Sequence, residues 1–344
     1  MLGGMAVAAC GGHVDDAPVK TDKPDAGVVG DSAGPDASEG GDASTSPLTL
    51  VTEPGQGLMP IYALISSAKR TIDMTMYELT DSTVTGLLTT AVKNGVVVRV
   101  ILDQNLEKTS NTTAFDALGA GGAQVHWANM TYSATHQKTV TIDATTSAIM
   151  TLNLTPEYYA TSRDFAVITT DAADVAAIEK TFAADFTNGT IGPPTGDDLV
   201  WSPTNAKTTL LGLINGAKKT LQIENEEMSD ASIVSALGSA ASRGVAVEIV
   251  MTASREWDAS FTTLVAAGAK VVTYARSASL YIHAKVVVAD YGPGTGSAFV
   301  GSENFSTASL EYNRELGIVT SDPTLLASVS GTLTSDFAGG TAYP

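Results

Sequence analysis

Two short stretches of the chain place a histidine, a lysine and an aspartate at one fixed spacing. They are His136, Lys138 and Asp143, and His283, Lys285 and Asp290, both His-x-Lys-x4-Asp. With 4 histidines, 12 lysines and 23 aspartates in 344 residues, chance would supply only about 0.01 such triples, so finding two is a signal. Imidazole can attack as a nucleophile or carry a proton. An ammonium group stabilises negative charge that grows in a transition state. A repeated histidine–lysine pair therefore suits reaction at an anionic centre.

The elements around the triples say how they are held. Val286, Val287 and Val288 form a β-branched run, as do Thr139, Val140, Thr141 and Ile142, and both read as strands. Strand side chains alternate faces, so each histidine is expected to share a face with its lysine. Asp143 and Asp290 have the opposite parity and are expected to anchor the strand ends without taking part in chemistry.

The triples belong to a larger duplication. Residues 64–81, LISSAKRTIDMTMYELTD, align without gaps on residues 213–230, LINGAKKTLQIENEEMSD. The register continues from Gly95-Val96 to Gly244-Val245. Two halves are expected, at 48–190 and 197–344, with a Gly/Pro/Thr/Asp-rich break near 188–203. In the first half the pattern predicts helices at about 57–69 and 82–93 and strands at about 71–77 and 96–102. The second half repeats it, with helices at about 206–217 and 230–242 and strands at about 220–226 and 245–251. Asn94-Gly95 and Gly244 supply the helix stops. Alternating helices and strands predict α/β architecture: two similar α-β-α sandwich halves related by pseudo-two-fold symmetry.

Composition bounds the rest. Net charge is −18, which argues against holding nucleic acid by counterion release. No apolar run approaches the ~18 residues that span a bilayer. The one cysteine, Cys10, follows Met5-Ala6-Val7-Ala8-Ala9, so residues 1–10 read as a partial lipoprotein-type signal within a longer one. Cys10 is then expected to be the lipidated first residue of an exported, membrane-anchored bacterial lipoprotein, at the periplasm or cell surface. In that case mass spectrometry of the native protein finds no peptide before Cys10. Residues 11–47, rich in Gly, Asp, Ala, Ser and Pro, cannot bury enough apolar surface to order themselves and read as a disordered acidic linker.

Further echoes follow each triple. Gly301-Ser302-Glu303-Asn304 corresponds to Met150-Thr151-Leu152-Asn153, and Arg314-Glu315 corresponds to Arg163-Asp164. Together with the paired His-x-Lys-x4-Asp motifs, these features resemble the phospholipase D superfamily across essentially all of residues 48–344. The resemblance implies two α/β halves packed face to face, one active site at their interface, and phosphodiester cleavage through a phosphohistidine without metal or other cofactor. A glycerophospholipid substrate, a membrane surface and a monomeric chain fit that expectation.

The residues are compatible with it. Lys138 and Lys285, with Asn153, Asn304, Thr151 and Ser302 as substrate-binding groups, would neutralise a phosphodiester. One imidazole attacks and the other moves protons. Asp164 and Glu315 are candidates to hold the far nitrogen of each ring. By resemblance His136 is the nucleophile and His283 the acid. The first half departs from the family pattern at Met150, which stands in place of glycine and is expected either to narrow the site or to fill core. The alternatives are phosphatidyl transfer of the cardiolipin synthase kind, a nuclease, and an inactive surface binding protein. Glu224-Asn225-Glu226-Glu227 resembles a metal cluster only superficially, because strand residues alternate faces. His126 is expected to be structural.

Overall fold

The computed structural model describes residues 46–189, 196 and 198–344, and these belong to one compact unit. The expectations for Cys10 and for the acidic segment as far as residue 45 lie outside the described residues.

Two sheets carry the fold, and they share one strand order. The first runs Leu48–Glu53, Ser162–Thr169, Thr146–Met150, Thr139–Ile142, Thr71–Met76, Val97–Leu102, Gln124–Trp127. The second runs Leu199–Ser202, Glu315–Thr320, Thr295–Gly301, Val286–Gly292, Thr220–Glu224, Ala246–Thr252, Lys270–Tyr274, and ends on the short strand Thr341–Ala342. In both, a parallel set meets an antiparallel meander at the strand that follows the lysine motif.

Local chemistry explains the repeated helices. Asp81 and Asp230 occupy matched positions, and each accepts backbone N–H groups at a helix N-terminus, Thr83 and Val84 in one half, Ser232 and Ile233 in the other. The helices Ser82–Lys93 and Ala231–Ser242 follow. Gly95 at φ +86° and Gly244 at φ +91° stop the chain just beyond each, in a conformation that disfavours a Cβ.

The strand Val286–Gly292 divides its side chains between two cores. Val287 enters the second-half core with Leu221, Ile249 and Leu237, while Val286 and Val288 enter a different cluster. That cluster joins the halves, since it also holds Ile149, Phe165 and Val167 of the first sheet and Leu316 and Ile318 of the second. Sheet packs on sheet there, and the helices Ala172–Phe186 and Pro323–Gly339 add Ile178 and Val329. The halves are thus one unit with a shared core.

Three features differ from the sequence expectation. Leu199–Ser202, assigned to the break, is a fully buried strand of the second sheet; its four residues are too few to show a period. Leu48–Glu53 is likewise a strand, paired with Ser162–Thr169. His283 and Lys285 precede the strand Val286–Gly292, and His136 and Lys138 precede Thr139–Ile142, so strand parity does not aim them. Among the described residues no helix is long and apolar enough to cross a membrane.

Candidate active site

The segment before each motif strand crosses to the other half. Thr135 bridges Arg314 in parallel, and the amides of His136 and Gln137 both donate to the Arg314 carbonyl at 2.9 Å. In the mirror arrangement, Tyr281–Ile282 pairs with Ser162–Arg163. This exchange puts each histidine beside the carboxylate of the opposite half. His136 Nδ1 lies 2.8 Å from Glu315 Oε2, and His283 Nδ1 lies 2.8 Å from Asp164 Oδ1. Both bonds engage Nδ1, so chemistry falls to Nε2, which on His283 lies 3.5 Å from Glu226 Oε2.

The lysines are buried, and each folds its ammonium back onto the carbonyl of its own histidine. Backbone contact therefore brings each His–Lys pair together where strand alternation was expected to do so. Lys138 Nζ also sits 4.8 Å from the Tyr77 ring centroid, and the Tyr77 ring meets His136 edge-on at 4.5 Å. Burial pushes Lys138 down to about 7, outweighing the attraction of Glu315. Burial likewise lowers His136, with Lys138 adding to the effect against Glu315. Burial alone would raise Glu315, but His136 and Lys138 hold it below the usual carboxylate range.

The remaining candidates divide. Asn304 Nδ2 faces Glu226 Oε2 at 3.4 Å and Glu227 Oε1 at 3.3 Å. Asn153 lies half-buried beside Leu154, whose amide bonds the Glu78 carbonyl at 3.1 Å. The Oδ1 atoms of Asn153 and Asn304 are buried without a hydrogen-bond partner among the described residues. Thr151 and Ser302, expected as substrate-binding groups, are fully buried and spend their hydroxyls on hydrogen bonds within the protein. The Thr151 hydroxyl donates to Asp164 Oδ1 and accepts from the Phe165 amide, while Ser302 Oγ accepts from the Leu316 amide at 3.1 Å. Thr151 thereby steadies Asp164, which holds His283, and Ser302 hydrogen-bonds Glu315, which holds His136.

Asp143 and Asp290 stand apart from the reacting groups. Asp143 takes the backbone amides of Lys69, Arg70 and Thr71, and Asp290 those of Lys218, Lys219 and Thr220, at 2.6–3.0 Å for the closest contacts. Met150 is buried in the first-half core, so it does not narrow the site. At the matching Gly301 a Cβ would come 2.4 Å from the Gly317 Cα. His126 bonds the Phe186 carbonyl at 2.9 Å and stacks on that ring.

Sequence reasoning underrated Glu226. The strand Thr220–Glu224 ends before it, so Glu226 and Glu227 do not alternate, and both reach Asn304. Among the described residues no cluster of three or more His, Cys, Asp or Glu is arranged to hold a metal. The arrangement offers two ring nitrogens, two ammonium groups and an amide around one space.

Comparison with known proteins defines the class. The family described as "Cardiolipin synthase, PLD-like domain" matches residues 61–186 and again 210–337. The chain belongs to this phospholipase D-like family. Phosphatidylserine synthase from Haemophilus influenzae Rd KW20 is similar over 86% of this chain and 87% of its own, at 12% identity and a TM-score of 0.66. Polyphosphate kinase from Porphyromonas gingivalis is similar at 15% identity and a TM-score of 0.66 over 84% of this chain, which spans only 50% of the kinase. The phospholipase D family member Nuc from Salmonella typhimurium is 25% identical over 42% of this chain and 95% of its own, with a TM-score of 0.38. No curated protein matches the sequence significantly.

Proposed function

We propose that the protein is a phospholipase D-type phosphodiesterase that releases the head group of a glycerophospholipid through a covalent phosphohistidine, without a metal. The observation that carries this reading is the crossed pairing of His136 with Glu315 and His283 with Asp164 in a space lined by both lysines.

His136, kept neutral by burial, attacks phosphorus through Nε2 as its Nδ1–H is held by Glu315. The bond to the head-group oxygen breaks, and His283 protonates that oxygen. Lys138 and Lys285 neutralise charge on the equatorial oxygens. His283 then takes a proton from water, which attacks phosphorus, breaks the P–N bond and leaves phosphatidic acid. The net charge of −18 counts against a nuclease, since a nucleic acid would be repelled.

The experiment is head-group release from phosphatidylcholine vesicles with EDTA present and His283→Ala as control. Release that survives EDTA and falls at least ~10³-fold in the variant is expected, as for loss of an essential acid–base partner. Absence of release from any phospholipid would contradict the reading. The name of the matching family favours a second reading, transfer of the phosphatidyl group to an alcohol. It differs only in what attacks the phosphohistidine, and product analysis with glycerol or phosphatidylglycerol present separates the two.

A further inference from the structure

The site holds an acid that two-histidine chemistry does not use. Glu226 Oε1 accepts from the Tyr281 hydroxyl at 2.7 Å. Its other oxygen, Oε2, meets Lys285 Nζ at 3.0 Å, Asn304 Nδ2 at 3.4 Å and His283 Nε2 at 3.5 Å. These are the ammonium, the amide and the ring nitrogen that the second half can offer to a phosphate oxygen. One carboxylate oxygen meets all three.

Among the described residues, no first-half carboxylate bonds Lys138 or His136 in this way. The position matching Glu226 in the duplication is Tyr77, whose ring lies against His136 and beneath Lys138. The two halves thus present different surfaces to a ligand: an aromatic face with a buried ammonium in one, and an ammonium already engaged by a carboxylate in the other. A phosphate oxygen cannot use the three second-half donors while Glu226 Oε2 holds them, because two anionic oxygens at hydrogen-bonding range of the same donors repel.

We propose that Glu226 is a resident anion in the phosphate site, which the substrate must displace. The phosphate takes Lys285, Asn304 and His283 from Glu226 Oε2, and the carboxylate turns aside. This rests on the reading of the site as a phosphodiesterase. Glu226 is tethered, so it competes at a high effective concentration, and free phosphate at ordinary concentration displaces it poorly. A diester held by the rest of its own structure gains additional binding and makes the exchange. The resident carboxylate therefore selects against small free anions, including the phosphate monoanion and dianion. Burial opposes ionisation of Glu226, but Lys285 and His283 outweigh it and hold its carboxyl well below the usual range, so the group is an anion across the working pH range.

The test uses the full chain with Glu226→Gln, which keeps the volume, and Glu226→Ala, which vacates it. Hydrolysis of bis(p-nitrophenyl) phosphate is followed with inorganic phosphate as competitor. Removing one negative charge within about 4 Å of the bound anion is expected to lower the phosphate inhibition constant on the order of tenfold or more in both variants. Calorimetric titration with inorganic phosphate gives the same comparison where turnover is low. An inhibition or dissociation constant that is unchanged or raised in both variants would overturn the proposal and make Glu226 a positioning partner of Lys285. A wild-type chain that hydrolyses no diester would instead sink the phosphodiesterase reading itself.

Discussion

His136 and Lys138 set the pH behaviour of the free site, and the directions of their shifts make it testable. His136 must be neutral to attack, and burial holds its pKa below the ordinary 6.5. Lys138 must be charged to bind phosphate, and burial brings it down to about 7. The rate at limiting substrate, kcat/KM, reports groups of the free enzyme. It is expected to rise with pH on a limb below 6.5, as His136 loses its proton, and to fall through about 7, as Lys138 loses its own. A profile flat from pH 6 to 9 would exclude this assignment. At this scale the sequence was informative about identity and weak about aim. The triples named both histidines and both lysines, and the repeated Arg-carboxylate pairs named Asp164 and Glu315, because a fixed spacing survives in the letters. The crossing was not legible: that Glu315 serves His136 and Asp164 serves His283 depends on contact between residues 179 and 119 positions apart. The internal hydrogen bonds of the Thr151 and Ser302 hydroxyls were not legible because the chain leaves strand geometry just before them.

At the scale of elements, the two aspartates of the motifs act as joints. Asp290, at φ +52°, gathers three amides at the turn leading into Thr220–Glu224. Backbone N–H donors outweigh the cost of its burial and hold the carboxyl below the usual range. Asp290→Ala is expected to cost ~1–2 kcal/mol of folding stability, the size of losing a capping carboxylate, with activity at permissive temperature within about threefold of wild type. Urea unfolding and a turnover assay read the two effects separately; a large loss of turnover in the fully folded variant would move Asp290 into the chemistry. The anchoring role expected of Asp143 and Asp290 matches their backbone contacts, although strand parity does not account for it, since the histidines lie off the strands. The helices Ala172–Phe186 and Pro323–Gly339, which brace the shared core, were not predicted. Ala, Thr and Ser dominate much of their length, so their apolar period is faint, although Asp171 and Asp322 cap both in the ordinary way.

The molecule as a whole carries buried carboxyl groups that tie stability to pH. Burial, with Asp164 adding to it, raises Glu53 from 4.5 to about 7, and burial with Asp73 raises Glu179 from 4.5 to about 8. Below pH 4.5 folded and unfolded chains both hold these protons. Above it only the folded chain does, so the stabilisation is lost as pH rises through about 7 and about 8. On the acid side, Asp143, Asp290 and Glu315 have lowered values, and their contribution is lost as pH falls below the unfolded carboxylate range. Thermal stability is expected to peak near pH 5 and to fall by on the order of 5 °C or more by pH 8; a midpoint that climbs between pH 5 and 8 would contradict the assignment. The duplication was legible because each half repeats its letters; the strand order it produces was not. The shared core was not, because Phe165 and Val286 meet only once both sheets exist.

A covalent phosphohistidine at His136 can be trapped and located by mass spectrometry. The His283→Ala variant is mixed with phosphatidyl-p-nitrophenol, whose leaving group departs without a general acid, and is quenched for peptide mass spectrometry. A burst of about one p-nitrophenolate per chain and a phosphatidyl adduct on the peptide bearing His136 are expected, since the variant lacks the base that activates water. Turnover by the wild type with no burst and no adduct in the variant would contradict a phosphohistidine at His136.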